Sequence, residues 1–102
     1  MTTTFYQLSA FDIHVKQKFN LSNRELEVWK LIANGYQQNQ ITRKLFLSLS
    51  TIKTHRRLLY RKLDIKQENN CKKKIIAAEI LSEERNKFHL KDKQIYFPIS
   101  TH

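Results

Sequence analysis

With 102 residues, 40% of them apolar, the chain suffices for one small domain with a modest core and is too apolar to be wholly disordered. No apolar run approaches the roughly 20 residues a bilayer span needs, the opening MTTTFYQLSAF lacks the basic start and apolar run of a signal peptide, and the lone Cys71 excludes an internal disulfide and fits a reducing cytoplasm. A formal net charge of +10 favours polyanionic partners: DNA, RNA or an anionic membrane face.

In chain order, Phe5, Leu8, Phe11, Val15 and Phe19 follow one another at spacings of 3, 3, 4 and 4. This predicts an amphipathic helix from about Tyr6 to Lys18, packed on the rest of the domain or on a second copy. Ser22 and Glu25 then have the spacing of a capping box, and Leu21 with Leu26 that of a hydrophobic staple, so a second helix starts here. Its core face continues through Val28, Trp29 and Ile32, with Trp29 read as a core residue. Gly35, the only glycine, closes it where a left-handed residue is wanted. A short helix follows from about Gln38 to Phe46, with Ile41 and Leu45 inward and Arg43 and Lys44 outward. Only Phe46 to Ser48 or so separates it from the next helix, the hallmark of a helix-turn-helix.

That next helix, capped by Ser48, has two contrasting rows. Ile52, His55, Leu59 and Leu63 recur on one face at helical spacing. Ser50, Lys53, Thr54, Arg57 and Arg61 recur on another and include no carboxylate. An α-helix fits the major groove of B-DNA, where Lys and Arg can donate to guanine and Thr can offer a methyl or hydroxyl. The bland alternative is a solvated basic face. The wider charge distribution speaks for the groove: no acidic residue occurs between Glu27 and Asp64, while Lys30, Arg43, Lys44, Lys53, Arg56, Arg57, Arg61 and Lys62 all do. Because the helix needs its apolar row for a core, insertion into a membrane is the weaker reading.

Asp64 tolerates a left-handed conformation and can end this helix. A further helix is predicted from about Glu68 to Glu84. Its apolar positions are Cys71, Ile75 and Ala78, with Ile76, Ile80 and Leu81 beside them. Two uses of that wide stripe stay open: a dimer surface through Cys71, Ile75, Ile76 and Ala78, or a cover for the N-terminal helix. Cys71 itself reads as a small core residue. From residue 85 on, Pro98 is taken to bar a helix, and an extended tail is expected. The division is 1–20 (N-terminal amphipathic helix), 21–82 (helix-turn-helix domain) and 83–102 (tail).

Neither a metal site nor catalysis is expected. His14, His55, His89, His102 and Cys71 lack finger-type ligand spacing. No phosphate loop, nucleophile motif or close carboxylate pair occurs in the basic segment, so neither an enzyme nor a cofactor is expected.

The residues Leu21-Ser22, Arg24-Glu25, Glu27-Val28, Leu31-Ile32-Ala33, Gly35, Ile41, Leu45, Leu47-Ser48, Thr51-Ile52-Lys53, His55 and Tyr60-Arg61-Lys62-Leu63 stand together without a gap. From Leu21 to about Ala78 the chain resembles the LuxR/FixJ-type, or GerE-like, helix-turn-helix domain. The resemblance implies an all-α, four-helix unit that binds duplex DNA, usually as a dimer through its last helix; here an extra N-terminal helix and an extended C-terminal tail flank it. It places the base-reading positions at Lys53, Thr54 and Arg57, and gives Thr51, His55 and Arg61 to phosphates or orientation. The chain departs from the family pattern at Gln40, Thr42, Asp64, Glu68 and Cys71 to Lys74. Many members carry a receiver or ligand-sensing domain before this unit; twenty residues hold none, so no phosphoacceptor is expected.

The expectation is a cytoplasmic, bacterial or phage-borne transcription regulator, acting as a homodimer on a specific double-stranded DNA site. Base contacts fall to Lys53, Thr54 and Arg57, and phosphate contacts to Arg43, Lys44, Ser50, Thr51, His55, Arg56, Arg61 and Lys62. The alternative is a protein-interaction module that pairs with RNA polymerase or another LuxR-type regulator, for which the unusual termini and Leu49 and Leu58, apolar on flanks that are often polar, are the motive.

Overall fold

The computed structural model describes residues 8–66 and 69–100, with side chains through His89. They form α1 (Ala10–Phe19), α2 (Asn23–Ala33), α3 (Gln38–Leu45), α4 (Leu49–Lys62) and α5 (Asn70–Ser100), and no strand occurs among them. The chain is all-α, as its periodicities predict.

Serines open α1, α2 and α4. The hydroxyls of Ser9, Ser22 and Ser48 accept from the amides of Asp12, Glu25 and Thr51 at 3.1, 3.1 and 3.2 Å. Asp12 and Glu25 return the bond to the amides of Ser9 and Ser22, completing two capping boxes. Each such cap stabilises its helix by about 1 kcal/mol. The first of these boxes moves the start of α1 from the predicted Tyr6 to Ala10. The predicted contribution of Phe5 lies outside the described residues.

The helix ends share one device. Asn20, Gly35, Phe46 and Asp64 all have positive φ, and only one of them is glycine. After α2, the Gly35 amide donates to Ile32 O and the Tyr36 amide to Leu31 O. After α4, the Asp64 amide donates to Arg61 O and the Ile65 amide to Tyr60 O. These paired bonds are the Schellman pattern, which satisfies the last carbonyls and turns the chain sharply. Gly35 and Asp64 therefore end their helices as expected.

The core is built around α2, which packs against α1, α4 and α5. Trp29 is fully buried; its Nε1 donates to Ala77 O of α5 at 2.8 Å, and Phe19 meets it edge-on at 5.6 Å. Leu21 and Leu26 are both buried, as the staple requires. Ile52 and Leu59 of α4 and Leu63, its C-cap, join Val28, Ile32 and Ile41 in one cluster, which Tyr60 also enters. The apolar row of α4 thereby fixes which side of that helix faces out.

The C-terminal half corrects the prediction. No extended tail begins at residue 85: α5 continues to Ser100. Residues 85–95 contain no glycine or proline to stop it. Pro98 falls in the last turn of that helix, two residues before its end. Cys71 is exposed, not a core residue, because the inward face of α5 begins with Ala77 and continues through Leu81 and Glu84. That face covers α1 and α2. Glu84 accepts from Lys18 at 2.6 Å and pairs with His14 at 3.3 Å, and Phe88 meets Phe11 edge-on at 5.6 Å. Lys30 of α2 ties down Asp12 of α1 at 2.7 Å.

Candidate nucleic-acid interface

The side of α4 opposite the core presents Ser50, Lys53, Thr54, Arg57 and Arg61, all exposed. These are the five residues of the predicted polar row. Thr51, His55 and Arg56 flank them half-buried, and Arg43 and Lys44 stand exposed on α3. Among the described residues, none of Arg43, Lys44, Lys53, Arg56, Arg57 and Arg61 has an ion-pair partner. Their charge is thus available to an outside anion. Lys44 lies over the Tyr36 ring at 5.0 Å, which steadies it without neutralising it.

Lys62 differs from this set. Its Nζ reaches back 2.7 Å to Glu25 Oε1 in the first turn of α2. The Glu25 side chain is only 4% exposed. Burial alone would raise its pKa, but the Lys62 and Ser22 hydrogen bonds and the Lys62 charge outweigh burial and hold the carboxyl below its ordinary value. Lys62 therefore fastens α4 to α2, apart from the exposed cations.

Hydrogen bonding also limits what the polar row can offer. Thr54 Oγ1 donates to Ser50 O at 3.1 Å, so its hydroxyl proton is spent within the helix and a methyl and the oxygen's two lone pairs remain. Ser48 Oγ lies 2.8 Å from Thr51 Oγ1 and 3.2 Å from Ser50 Oγ, a hydroxyl cluster at the positive end of α4. His55 has its Nδ1 buried without a partner.

One part of the surface was not anticipated. Lys53, Arg56 and Arg57 of α4 face Asn70 and Lys73 of α5 across a concavity of about 250 Å³, also lined by Thr54 and Tyr60. The run Lys72-Lys73-Lys74 was the signal for Lys73, whereas nothing in the sequence marks Tyr60 as part of it. Of the dimer candidates, Ile75 is 58% exposed and Cys71 exposed, while Ile76 and Ala78 are half-buried. Among the described residues, no helix is long and apolar enough to cross a membrane, and no His, Cys, Asp or Glu group could hold a metal ion.

Residues 19–71 match the family described as bacterial regulatory proteins, luxR family. The chain is 41% identical over 58 residues to oxygen regulatory protein NreC of Staphylococcus haemolyticus (strain JCSC1435), covering 56% of this chain and 27% of the relative. To NreC of Staphylococcus carnosus (strain TM300) it is 44% identical over 48 residues, 47% of this chain and 22% of the relative. NreC of Staphylococcus aureus (strain JH9) gives the same identity and coverage. The chain thus spans about a quarter of the length of the curated relatives it matches. No solved structure is significantly similar to it. The match takes in α2, α3 and α4, the elements that carry the exposed basic row. The chain belongs to the luxR family of bacterial regulatory proteins, a family of DNA-binding transcription regulators and not of enzymes.

Proposed function

We propose that the chain recognises a specific site on duplex DNA by laying α4 in the major groove. The observation that carries this is the two-sidedness of α4: Ile52, Leu59 and Leu63 lock one side into the core, and a carboxylate-free row of cations and hydroxyls faces out. Lys53 and Arg57 donate to guanine edges, and Thr54, its proton spent on Ser50, packs its methyl against a thymine methyl or accepts from a base amine. Arg43, Lys44, Ser50, Thr51, His55, Arg56 and Arg61 supply phosphate contacts that set register without reading sequence. Lys62 is left out of that set because Glu25 engages it.

The protein acts in the cytoplasm as a homodimer. The exposed part of α5 around Ile75, with Cys71, Ile76 and Ala78, supports pairing, and two copies then reach half-sites about one helical turn apart. The role in oxygen regulation for which the relatives are named is not carried over, because the match spans only 22–27% of their length. A second reading has its own support. Phe46 is 91% exposed in the turn before α4, and Leu49 beside it 40% exposed. Such a patch suits contact with RNA polymerase or another LuxR-type regulator.

The test is selection of random duplexes by the purified protein. Enrichment of one motif, relaxed by Lys53→Ala or Arg57→Ala, supports base reading. An unenriched pool together with capture of a LuxR-type regulator that Phe46→Ser abolishes would favour the second reading.

A further inference from the structure

A cavity of about 620 Å³ opens between the start of α1, Lys30 of α2 and the stretch of α5 around Phe88, and no residue of α4 lines it. Its size lies within the range of about 300–1,000 Å³ usual for small-molecule sites. Apart from Lys30, its lining residues fall outside the 19–71 family match. Phe11 and Phe88, edge-on at 5.6 Å, give it aromatic walls. The Arg85 guanidinium lies 5.3 Å from the centre of the Phe11 ring, which holds it against that wall. Among the described residues, Asp12 is the only carboxylate lining the cavity. Both of its oxygens are taken by Lys30 Nζ, at 2.7 and 2.8 Å, so that pair is neutral within itself. Arg85 has no ion-pair partner among the described residues. The cavity thus combines an apolar body with one uncompensated cation.

We propose that this cavity binds a small planar aromatic carboxylate, its rings against Phe11 and Phe88 and its carboxylate on Arg85. A guanidinium matches a carboxylate through two parallel N–H···O bonds, and aromatic walls favour a planar ring in offset or edge-on contact. Asn86, next to Arg85 in the lining, offers an amide to the remaining lone pairs. A nucleic-acid phosphate is the poorer occupant: Lys30 is spent on Asp12, and a phosphate leaves the two phenyl rings uncovered. The consequence is mechanical. A ligand seated here fastens α1 to α5, which Glu84 already joins through His14 and Lys18. Because α5 also carries the proposed pairing face at Ile75, occupancy reaches the pairing helix without touching the exposed row of α4.

The experiment titrates the isotope-labelled full chain with 2-naphthoate in the absence of DNA and follows the amide shifts by NMR. Saturable shifts centred on the start of α1, Lys30 and the Arg85–His89 stretch are expected, with a Kd on the order of 1 mM. The alcohol 2-naphthalenemethanol, with the same rings and no charge, is expected to bind about tenfold more weakly, and Arg85→Gln to weaken naphthoate by a similar factor. Arg85→Lys keeps the charge and loses the fork, so its affinity should fall between those of wild type and Arg85→Gln. The fluorescence of buried Trp29 identifies any variant that has lost its fold, and the alcohol comparison needs only wild type. No saturable shift up to about 10 mM naphthoate would overturn the proposal. So would equal affinity for the alcohol, or unchanged naphthoate binding in folded Arg85→Gln. Octanoate binding as tightly as naphthoate would overturn the aromatic assignment. Nuclear Overhauser contacts from Phe5 or Tyr6 to Phe88 in the ligand-free chain would overturn the proposal by giving the cavity to the chain's own start. The DNA reading of α4 stands or falls separately, on the duplex selection.

Discussion

Lys62→Ala separates the structural role of that lysine from a DNA role. In the native state the Lys62 ammonium is 2.7 Å from a Glu25 carboxylate that is only 4% exposed. Removing one member of a buried ion pair costs about 3–5 kcal/mol, mostly because the other charge is left without compensation. Two features reduce that figure here. Lys62 is itself 30% exposed, and Glu25 keeps the Ser22 amide at 2.9 Å. The expected loss at neutral pH is therefore about 2 kcal/mol. The only tryptophan, Trp29, is fully buried and provides the fluorescence signal for urea unfolding. The pH dependence is a second signature. Glu25 has its folded-state pKa lowered from 4.5, so its contribution is present above about pH 4.5 and fades as pH falls through the folded-state value. Without Lys62, burial is less opposed and the carboxyl titrates higher. The gap between wild type and variant should therefore narrow in acid. The salt slope of DNA binding should not change. Unaltered stability at neutral pH, a gap independent of pH, or a salt slope reduced by about 0.9 would each refute the assignment of Lys62 to Glu25.

Gly35→Ala meets no atom within 4 Å of the new Cβ, so only the φ of +89° opposes it; a loss of about 1 kcal/mol in urea unfolding is expected, and none would show that the turn relaxes freely. Ile75→Asp, at a side chain 58% exposed, should leave the monomer folded and shift sedimentation from dimer to monomer; an unchanged sedimentation profile would remove that face from the proposed interface. Glu84→Gln should loosen α1 by weakening its ties to Lys18 and His14, seen as faster amide exchange across Val15 and Phe19. Although burial alone would raise the Glu84 pKa, hydrogen bonds from Lys18 and His14 and the charges of Lys18 and Lys87 hold it below the ordinary value. The Glu84 contribution is thus lost as pH falls through that lowered value, and the exchange difference between wild type and variant should shrink in acid.

The centre of the chain was legible because its signals are local. Ser22 with Glu25, Gly35, and Ser48 before the two rows of α4 each act through neighbours a few residues away, and α2, α3 and α4 form where those signals place them. The ends were harder to read because distant contacts decide them. Two apolar stripes on α5, one through Ile75 and Ala78 and one through Ala77 and Leu81, are offset by a single residue or so and look alike in sequence. The Trp29 indole bonded to Ala77 O, and Glu84 between His14 and Lys18, select the second. That choice exposes Cys71 and turns Lys73 toward Tyr60. At the start of α1, apolar spacing drew attention upstream, while the Ser9–Asp12 box sets the first turn at Ala10. Within the interface, the five-residue exposed row could be read from helical spacing. The engagement of Lys62 could not, because Glu25 is 37 residues away in sequence.

The most direct test of base reading by α4 is a duplex in which the guanines of the selected site are replaced by 7-deazaguanine. This removes the N7 acceptor from the major groove and leaves pairing and the backbone unchanged. Wild type should lose roughly tenfold or more in affinity, within the 1–3 kcal/mol expected for a bidentate contact. Arg57→Ala or Lys53→Ala, whichever reads the substituted guanine, should already be weak and lose little further. Full wild-type affinity for the 7-deaza duplex would contradict the claim that α4 reads guanine through the major groove.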